Sequence, residues 1–260
     1  MSGVDWRAKR FDRAAGSYER VTPVQSSMAR RLAGLIPPAA GEGAILELGC
    51  GTGHLTRELL RRFPDARFLV TDLAPGMLGL CGEHMGEIDR ARVRLEMLDA
   101  RAPELPDTFD LLASSAVVQW FPDLHAHLGA CRKLLKEGGT YALSGFCRTN
   151  FPELDALLSS PPWDWPDPPG HFLSAARGTA ARCGFDVQLA EEDVVEYVYP
   201  SAMEFLRAIG QSGASRAPRA GRALTRDLLR ELVGAYEERF SVEGGVKATW
   251  HPWFLILRAA

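Results

Sequence analysis

Three glycines at alternate positions mark the first stretch of sequence that could bind a ligand, Glu47-Leu-Gly-Cys-Gly-Thr-Gly53. Because Gly49, Gly51 and Gly53 carry no side chain, the backbone can approach a bound molecule closely. The segment follows a short apolar run and precedes an amphipathic one, which is the order strand, loop, helix. Cys50 has no activating base beside it in sequence and is interpreted as small and structural. The loop predicts a site for a nucleotide-like cofactor.

The spacing of the glycines and the charge of Glu47 distinguish between cofactors. A dinucleotide fingerprint has the pattern G-x-G-x-x-G and places a pyrophosphate over the helix N-terminus. Here the third glycine comes one position earlier. Glu47 would repel a pyrophosphate, whereas it would attract a sulfonium cofactor with an ammonium group. The loop therefore favours S-adenosylmethionine, with a nicotinamide-dependent reductase as an alternative.

Acidic residues follow the next two predicted strands. Asp72 comes 19 residues after Gly53, where a carboxylate can accept hydrogen bonds from both ribose hydroxyls. Asp99 ends the third strand, where the same sheet edge places it near the adenine amine. Helix caps or turn formers are the alternative roles of both acids. Other expected cofactor contacts lie beside these positions, namely Leu73, Met77, Ala100 and Ser115.

Alternating apolar and amphipathic segments between residues 44 and 146 are typical of βαβ units that form a parallel sheet. The predicted strands are Ala44–Leu48, Arg67–Thr71, Val93–Leu98, Phe109–Ser114 and Thr140–Phe146. Before the last strand, Asp123 is the predicted N-cap of a helix that Gly138-Gly139 ends.

The flanking segments complete a predicted α/β fold. Residues 5–36 read as helical, and the proline- and tryptophan-rich stretch 161–169 as a rigid loop. The tail is predicted as helix Ser174–Cys183, strand Asp186–Tyr199, helical segments over 201–240 and strand Val246–Arg258. The predicted fold resembles that of class I methyltransferases, which implies a Rossmann-like, seven-stranded, mostly parallel sheet with an antiparallel edge strand and a helical cap before the last strand. The predicted units are a core over 1–200, the cap over 201–240 and a returning strand over 241–260.

Composition excludes several classes of protein. Five scattered cysteines without a C-x-x-C pair argue against a disulfide framework or a zinc ribbon. A net charge of −3 provides no global basic field for nucleic acid, and no apolar run approaches the length that spans a bilayer. His125 and His127 lack further ligands at metal-binding spacing and are expected on a helix surface. A cytoplasmic protein without a metal, nucleic acid or membrane partner is expected.

Five motifs together resemble the malonyl-acyl-carrier-protein O-methyltransferases of biotin synthesis. They are Phe11-Asp-Arg-Ala-Ala-Gly-Ser-Tyr18 with Gln25, Ser115-Ala-Val-Val-Gln-Trp120, Phe151-Pro-Glu-Leu154, Leu206-Arg-Ala-Ile-Gly-Gln-Ser-Gly-Ala214 and Ala248-Thr-Trp-His-Pro-Trp-Phe-Leu255. The resemblance implies methyl transfer from S-adenosylmethionine to the free carboxylate of a malonyl thioester, on acyl carrier protein or coenzyme A. Cys147-Arg148 and the loop 161–169 depart from the family's usual pattern.

An ionised carboxylate that enters a closed pocket needs a cation or several hydrogen-bond donors. Arg148, just past the fifth strand, and Arg207, in the cap, are the two candidate cations. The resemblance implies that Tyr18 closes over the reacting groups. Gln119 is a candidate donor to the acceptor, and Trp120 a candidate wall of its pocket. Surface or core positions are the alternative for each.

Arginine is concentrated in the predicted cap, with six arginines and one acid between residues 207 and 230. An acidic partner such as acyl carrier protein is expected to dock there. The candidate docking residues are Arg216, Arg219, Arg222 and Arg226. A solvated charged face is the alternative for this cluster. For the whole protein, a methyltransferase of another carboxylic acid, phenol or quinone and a non-catalytic S-adenosylmethionine-binding protein stay open.

Overall fold

The computed structural model describes residues 6–147, 149–158, 172–212 and 225–260. Its helices are α1 (Trp6–Val21), α2 (Pro23–Leu35), α3 (His54–Arg62), α4 (Pro75–Glu83), α5 (Glu87–Arg90), α6 (Leu124–Leu134), α7 (Pro152–Asp155), α8 (Phe172–Arg182), α9 (Ala202–Gln211) and α10 (Arg226–Phe240). Its strands are β1 (Ala44–Leu48), β2 (Arg67–Asp72), β3 (Val93–Met97), β4 (Phe109–Ser115), β5 (Leu135–Phe146), β6 (Phe185–Glu192), β7 (Val195–Tyr199), β8 (Ser241–Val242), β9 (Gly245–Trp250) and β10 (Pro252–Ala259).

Seven strands form one sheet in the order β3-β2-β1-β4-β5-β10-β6. Strands β1 to β5 are parallel, and β10 runs antiparallel to both β5 and β6. The predicted fold class is confirmed, including the antiparallel pair at one edge. Strand order reverses at β1, which lies between β2 and β4. Ligands of open α/β sheets bind outside the carboxyl ends of the strands at such a point. The glycine loop leaves β1 at that place.

A second sheet, in the order β7-β9-β8, was not predicted. The two predicted strands Asp186–Tyr199 and Val246–Arg258 were wrong as single strands, because each one divides between the two sheets. The two segments pass from one sheet to the other at neighbouring points, where the Asp193 N–H donates to the Pro252 carbonyl at 2.8 Å. Pro252 has no N–H to donate, so the second strand changes its partners there.

Helix α6 begins as predicted, because the Asp123 side chain accepts a hydrogen bond from the Ala126 N–H at 2.9 Å. The predicted end at Gly138-Gly139 is wrong, since the chain passes from Leu134 directly into β5. Leu135 is extended and buried, and it pairs with Phe109 on β4. Burial of an apolar side chain on the sheet therefore ends the helix before the glycines do.

The apolar core covers both faces of the large sheet. One cluster joins α2 and α3 to the cap, since Leu32, Leu59, Phe205, Tyr236 and Trp250 belong to it. The other cluster packs α6 and α8 against the opposite face. The cap helices α9 and α10 thus share their core with the N-terminal helices. No helix in the described ranges is long and apolar enough to cross a membrane.

His127 is a further correction, because this residue of α6 is completely buried while its neighbour His125 is exposed. Its ring nitrogens lie 2.8 Å from the Ala100 carbonyl and 2.7 Å from the Tyr141 hydroxyl. The expectation of a surface position failed because short spacing cannot tell which side of α6 faces the sheet.

Candidate active site

A cavity of about 970 Å³, including the open space at its mouth, lies at the carboxyl ends of β1 to β4. All the residues predicted to bind the cofactor except Gly53 line this cavity: Glu47, Gly49, Cys50, Gly51, Asp72, Leu73, Met77, Asp99, Ala100 and Ser115. Residues far apart in sequence thus meet because parallel strands end at one sheet edge. We refer to this space as the cofactor cavity.

Left-handed backbone at Gly49, Gly51 and Gly53 shapes the loop, with φ angles of 74°, 54° and 93°. A Cβ atom at Gly49 would lie 2.5 Å from Val117, and one at Gly53 would lie 3.0 Å from the Cys81 sulfur. At Gly51 the nearest atom would be 3.9 Å away, on the Tyr18 ring. Gly51 therefore leaves its backbone open to the cavity, whereas Gly53 packs behind it against α4.

Asp72 holds the loop against the end of β2. Its Oδ2 accepts from the Gly51 N–H at 2.9 Å, and its Oδ1 accepts from the Ala74 N–H at 2.8 Å. Burial raises the pKa of Asp72, and the backbone donors oppose that rise. A third backbone hydrogen bond comes from Leu73. The residue thus forms the turn, as considered above, and also lines the cofactor cavity.

Glu47 is 1% exposed, and in the part of the chain that the structure describes its Oε2 has no hydrogen-bond partner. Burial, followed by the nearby Cys81 and Asp72, raises its pKa to about 8, although Thr56 opposes this as a hydrogen-bond donor. A buried carboxylate with an unsatisfied oxygen is costly unless a ligand completes it. Its position in the cofactor cavity fits a ligand with an ammonium group.

Asp99 lies two residues beyond β3 and is paired with a residue that sequence reasoning missed. The Arg101 Nε donates to both Asp99 oxygens, at 2.9 and 3.0 Å. Arg101 itself lines the cofactor cavity. An adenine amine would therefore share the Asp99 carboxylate with this guanidinium. No feature of the sequence other than proximity marks Arg101.

Helix α1 covers the cavity and is fixed to the elements around the glycine loop. The Glu19 carboxylate lies 2.8 Å from Arg57 of α3, and Asp12 accepts from the Gly76 N–H at 2.7 Å. His54, at the start of α3, lies 3.0 Å from the Thr22 hydroxyl, and its ring centroid lies 6.2 Å from that of Tyr18. Burial lowers the pKa of His54, and the Arg57 charge adds to this.

Tyr18 projects from α1 into the cofactor cavity. Burial, with a contribution from Asp72, raises its pKa well above the ordinary value of 10. The hydroxyl therefore stays protonated at neutral pH and can donate a hydrogen bond.

A second, smaller cavity of about 390 Å³ adjoins the first. The two share part of their walls, formed by Phe11, Tyr18, Gln25, Ala116 and Trp120. The remaining wall of the second cavity comes from Gln119, Phe146, Phe151, Ile209, Ser212 and Trp250. We call this space the acceptor cavity and the shared wall the junction. Its walls are mostly apolar and aromatic, which suits exclusion of water.

The turn after β4 reaches both cavities through a strained residue. Ala116 has a φ angle of 58°, which costs a non-glycine residue roughly 1 kcal/mol. Its carbonyl accepts from the Gln119 Nε2 at 2.8 Å, and its N–H donates to the Ser144 carbonyl at 2.9 Å. Gln119 thereby lies in the acceptor cavity, while its Oε1 is buried without a partner.

Of the arginines predicted for the acceptor and its carrier, Arg207 and Arg226 lie within the described residues. Arg207 is exposed on α9, is paired with Glu204, and lines neither cavity. Arg226 is exposed at the start of α10. The other predicted arginines, Arg148, Arg216, Arg219 and Arg222, lie outside the described residues, as does the loop 161–169.

Several lining residues were missed by sequence reasoning, although some lie in motifs already noted. Phe11 and Trp250 belong to such motifs, but nothing in their spacing showed which cavity they face. His54 follows the glycine loop directly, and Ile209 and Ser212 reach the acceptor cavity only because α9 packs beside α1.

Comparisons with known proteins agree with this geometry. A family model described as a methyltransferase domain matches residues 46–141. The chain is similar to the malonyl-acyl-carrier-protein O-methyltransferase of Acetivibrio thermocellus, with 32% identity over 95% of this chain and 91% of that protein. The protein of the same name from Paenibacillus sp. (strain JDR-2) is 33% identical over 95% and 96%. A solved S-adenosylmethionine-dependent methyltransferase of Mesorhizobium loti shares the fold, with a TM-score of 0.53, 18% identity and coverage of 88% and 95%.

Proposed function

Because the chain belongs to the malonyl-acyl-carrier-protein O-methyltransferase family, we propose that it methylates the free carboxylate of a malonyl thioester. The product is a methyl ester whose acyl chain resembles a fatty-acid primer and can be extended toward pimelate for biotin. One observation of the structure supports this above others: a cofactor cavity lined by Glu47, Asp72 and Asp99 meets a small apolar cavity at the junction that includes Tyr18. Such a pair of spaces suits a donor with a reactive group pointing at a short acyl chain.

The donor in this proposal is S-adenosylmethionine, which supplies an electrophilic methyl group on a sulfonium. Glu47 binds its ammonium group, since the unpartnered Oε2 needs a cation or a donor. Asp72 accepts from the ribose hydroxyls, and Asp99 from the adenine amine. The open backbone at Gly51 allows close approach of the ligand.

The chain's task in the transfer is alignment and exclusion of water, not proton removal. A carboxylic acid with a pKa near about 4 is ionised at neutral pH, so no general base is required. Helix α1 closes the cofactor cavity, and the protonated Tyr18 hydroxyl donates to the acceptor. Gln119 donates to the acceptor from the turn after β4. Holding two reacting groups in register can contribute a large part of the rate enhancement.

Of the two candidate cations for the malonyl carboxylate, Arg207 lies within the described residues and Arg148 does not. The exposed, ion-paired position of Arg207 gives it no direct support as a carboxylate ligand. Arg148 follows β5 in sequence and is retained as the candidate of the two. Replacing Arg148 by alanine should raise the KM for the malonyl thioester if it binds the carboxylate, and Arg207→Ala serves as its comparison.

Acyl carrier protein is the proposed carrier, because the relatives are named for it. Its acidic surface would dock on the arginines of the cap, Arg216, Arg219, Arg222 and Arg226. Coenzyme A is the alternative carrier of the same malonyl group.

The experiment is a methyl-transfer assay with purified protein and S-adenosylmethionine. Malonyl-acyl carrier protein, malonyl-coenzyme A and free malonate, phenols and quinones are offered separately, and the ester is identified by mass spectrometry. We expect methylation of a malonyl thioester in strong preference to the free compounds. Turnover of free acids with indifference to malonyl thioesters would contradict the proposal. Cofactor binding without turnover of any acceptor would favour a non-catalytic role.

A further inference from the structure

Gln25 of α2 occupies a position that no structural role explains. It is 8% exposed, it lines both cavities, and its Oε1 has no hydrogen-bond partner among the described residues. A buried amide oxygen without a partner destabilises a folded protein. An apolar side chain of similar size, such as leucine, would fill the same place without this cost. The position therefore indicates a polar group that serves a ligand.

The junction is the place where donor and acceptor must meet, and two of the described side chains in its wall carry a hydroxyl or an amide. Phe11, Ala116 and Trp120 contribute apolar surface, while Tyr18 and Gln25 contribute polar groups. These two side chains come from consecutive helices, α1 and α2. A hydroxyl that stays protonated and an amide thus face the same small space.

Charges around the junction make a neutral binding group advantageous for a carboxylate. Among the described residues that line the acceptor cavity, none is charged. The described charged residues of the cofactor cavity are three acids, Glu47, Asp72 and Asp99, and Arg101, whose guanidinium already pairs with Asp99. An acceptor carboxylate would be repelled from these acids. Uncharged hydrogen-bond donors at the junction can bind the acceptor carboxylate there. The carboxylate then does not need Arg101, the described cation of the cofactor cavity, as its partner.

We propose that Gln25, together with Tyr18, binds and orients the acceptor carboxylate at the junction and thereby selects malonyl over unsubstituted acyl thioesters. This rests on the proposed function, because it names the residue that recognises that substrate. A glutamine amide carries a donor and an acceptor, and rotation about its terminal bond exchanges them. One amide N–H then donates to a carboxylate oxygen while the Tyr18 hydroxyl donates to the same group.

The test compares two thioesters that differ only in the carboxylate. Malonyl and acetyl thioesters, on the carrier that supports turnover in the assay above, are titrated into protein loaded with S-adenosylhomocysteine. We expect Gln25→Leu to lower the malonyl affinity by about 10- to 100-fold, the effect of losing a hydrogen bond to a charged group. Acetyl affinity should stay within about twofold, because that ligand has no carboxylate. Gln25→Glu should weaken malonyl binding further through like-charge repulsion.

Met28→Leu is the matched control, since Met28 is buried on the same helix and lines neither cavity. It should leave both affinities unchanged. Thermal unfolding adds a second measurement, because Gln25→Leu should leave Tm unchanged or raise it if the amide is not structural. An unchanged malonyl preference in both Gln25 variants would overturn the inference, and so would an equal loss in Met28→Leu. Absence of malonyl turnover in the unmodified protein would instead contradict the proposed function.

Discussion

Two buried titratable side chains near the cofactor cavity have pKa values that are shifted in opposite directions. Burial raises the pKa of Glu47 to about 8 and lowers the pKa of His127 to about 4. Both shifts favour the neutral form, because burial penalises whichever form is charged. The two residues differ in their contacts. Glu47 lines the cofactor cavity and has an oxygen without a described partner, whereas both ring nitrogens of His127 have hydrogen-bond partners, the Ala100 carbonyl and the Tyr141 hydroxyl.

Replacement of Glu47 by glutamine should weaken binding of S-adenosylmethionine and remove a loss of protein stability at high pH. A carboxyl group whose pKa is raised on folding stabilises the folded protein fully at pH values below its pKa in the unfolded chain, about 4.3. This stabilisation is lost as the pH rises through the pKa of the folded state. The free protein should lose about 3 kcal/mol of unfolding free energy between pH 6 and pH 9 from this group, and Glu47→Gln should not. The Kd of Glu47→Gln for S-adenosylmethionine should rise about tenfold or more, because glutamine cannot ionise to pair with the ammonium group.

Urea unfolding at the two pH values and calorimetric titration measure these effects. The difference between variant and unmodified protein isolates Glu47 from other groups that titrate in this range. Equal pH dependence of both proteins would show that Glu47 does not carry the shift.

His127 should make the protein acid-sensitive. Its folded pKa lies below the unfolded value near about 6.5, so the unfolded chain takes up the proton first as the pH falls. The stability is therefore complete above that value and decreases toward pH 4. We expect a loss of about 2 kcal/mol between pH 7 and pH 5. Urea unfolding of His127→Gln should show a smaller loss, and His125→Gln, at an exposed position, should behave like the unmodified protein.

At the scale of elements, α1 is the part of the structure that closes the cofactor cavity. It contributes Phe11 and Tyr18 to the walls and is held by side chains at two places. The pair Glu19–Arg57 connects it to α3, and Asp12 connects it to the start of α4. These contacts are polar and partly exposed, and α1 also packs on α4 through a small apolar cluster that contains Ala15 and Met77. Polar contacts and apolar packing thus hold α1 over the cofactor cavity together.

The pair Glu19–Arg57 should matter more for cofactor retention than for stability. Partly exposed ion pairs contribute about 0.2–1 kcal/mol, so we expect Glu19→Gln and Arg57→Ala to raise the cofactor Kd by about two- to fivefold each. A double-mutant cycle on Kd should show that the two effects are not additive. Arg61→Ala is the control, because Arg61 lies on the same helix and pairs with Glu58. Additive effects of Glu19 and Arg57 would exclude coupling through this pair.

At the scale of the whole molecule, the cap is continuous with the core. Phe205 of α9 is completely buried, and its ring centroid lies 5.1 Å from those of Phe151 and Tyr199 and 5.4 Å from that of Tyr236. This aromatic group joins the cap to the second sheet and to the wall of the acceptor cavity. The sequence-based division into a core, a cap over 201–240 and a returning strand therefore describes the order of segments, and independent folding of the cap is not expected.

Phe205→Ala should destabilise the entire protein by about 3–5 kcal/mol, because it leaves a cavity in this cluster. Unfolding followed by circular dichroism and by tryptophan fluorescence should give one coincident transition, and malonyl turnover should be lost together with the fold. Leu228→Ala, at a residue that is 40% exposed, should change stability by less than about 0.5 kcal/mol. A separate early transition in Phe205→Ala, with the main one unchanged, would indicate that the cap folds independently.

The sequence by itself determined the donor half of this protein. Strands β1 to β4, the glycine loop and the positions of Asp72 and Asp99 beside it were predictable, because each depends on local periodicity or on the rule that parallel strands end at one sheet edge. Asp123 was predictable as a cap for the same local reason. His127 and the end of α6 were not, since burial against the sheet decided them.

Which residues line the acceptor cavity was decided only by the tertiary structure. The acceptor cavity is formed where α1, α2, the turn after β4, α9 and β9 meet, and no local pattern states which of their side chains face one another. Gln25 had been noted in a motif, but its unpartnered amide at the junction becomes visible only when its neighbours are in place. The exposure of Arg207 likewise follows from the packing of α9. Long-range contacts determine burial, and burial determines which polar groups stay available for a substrate.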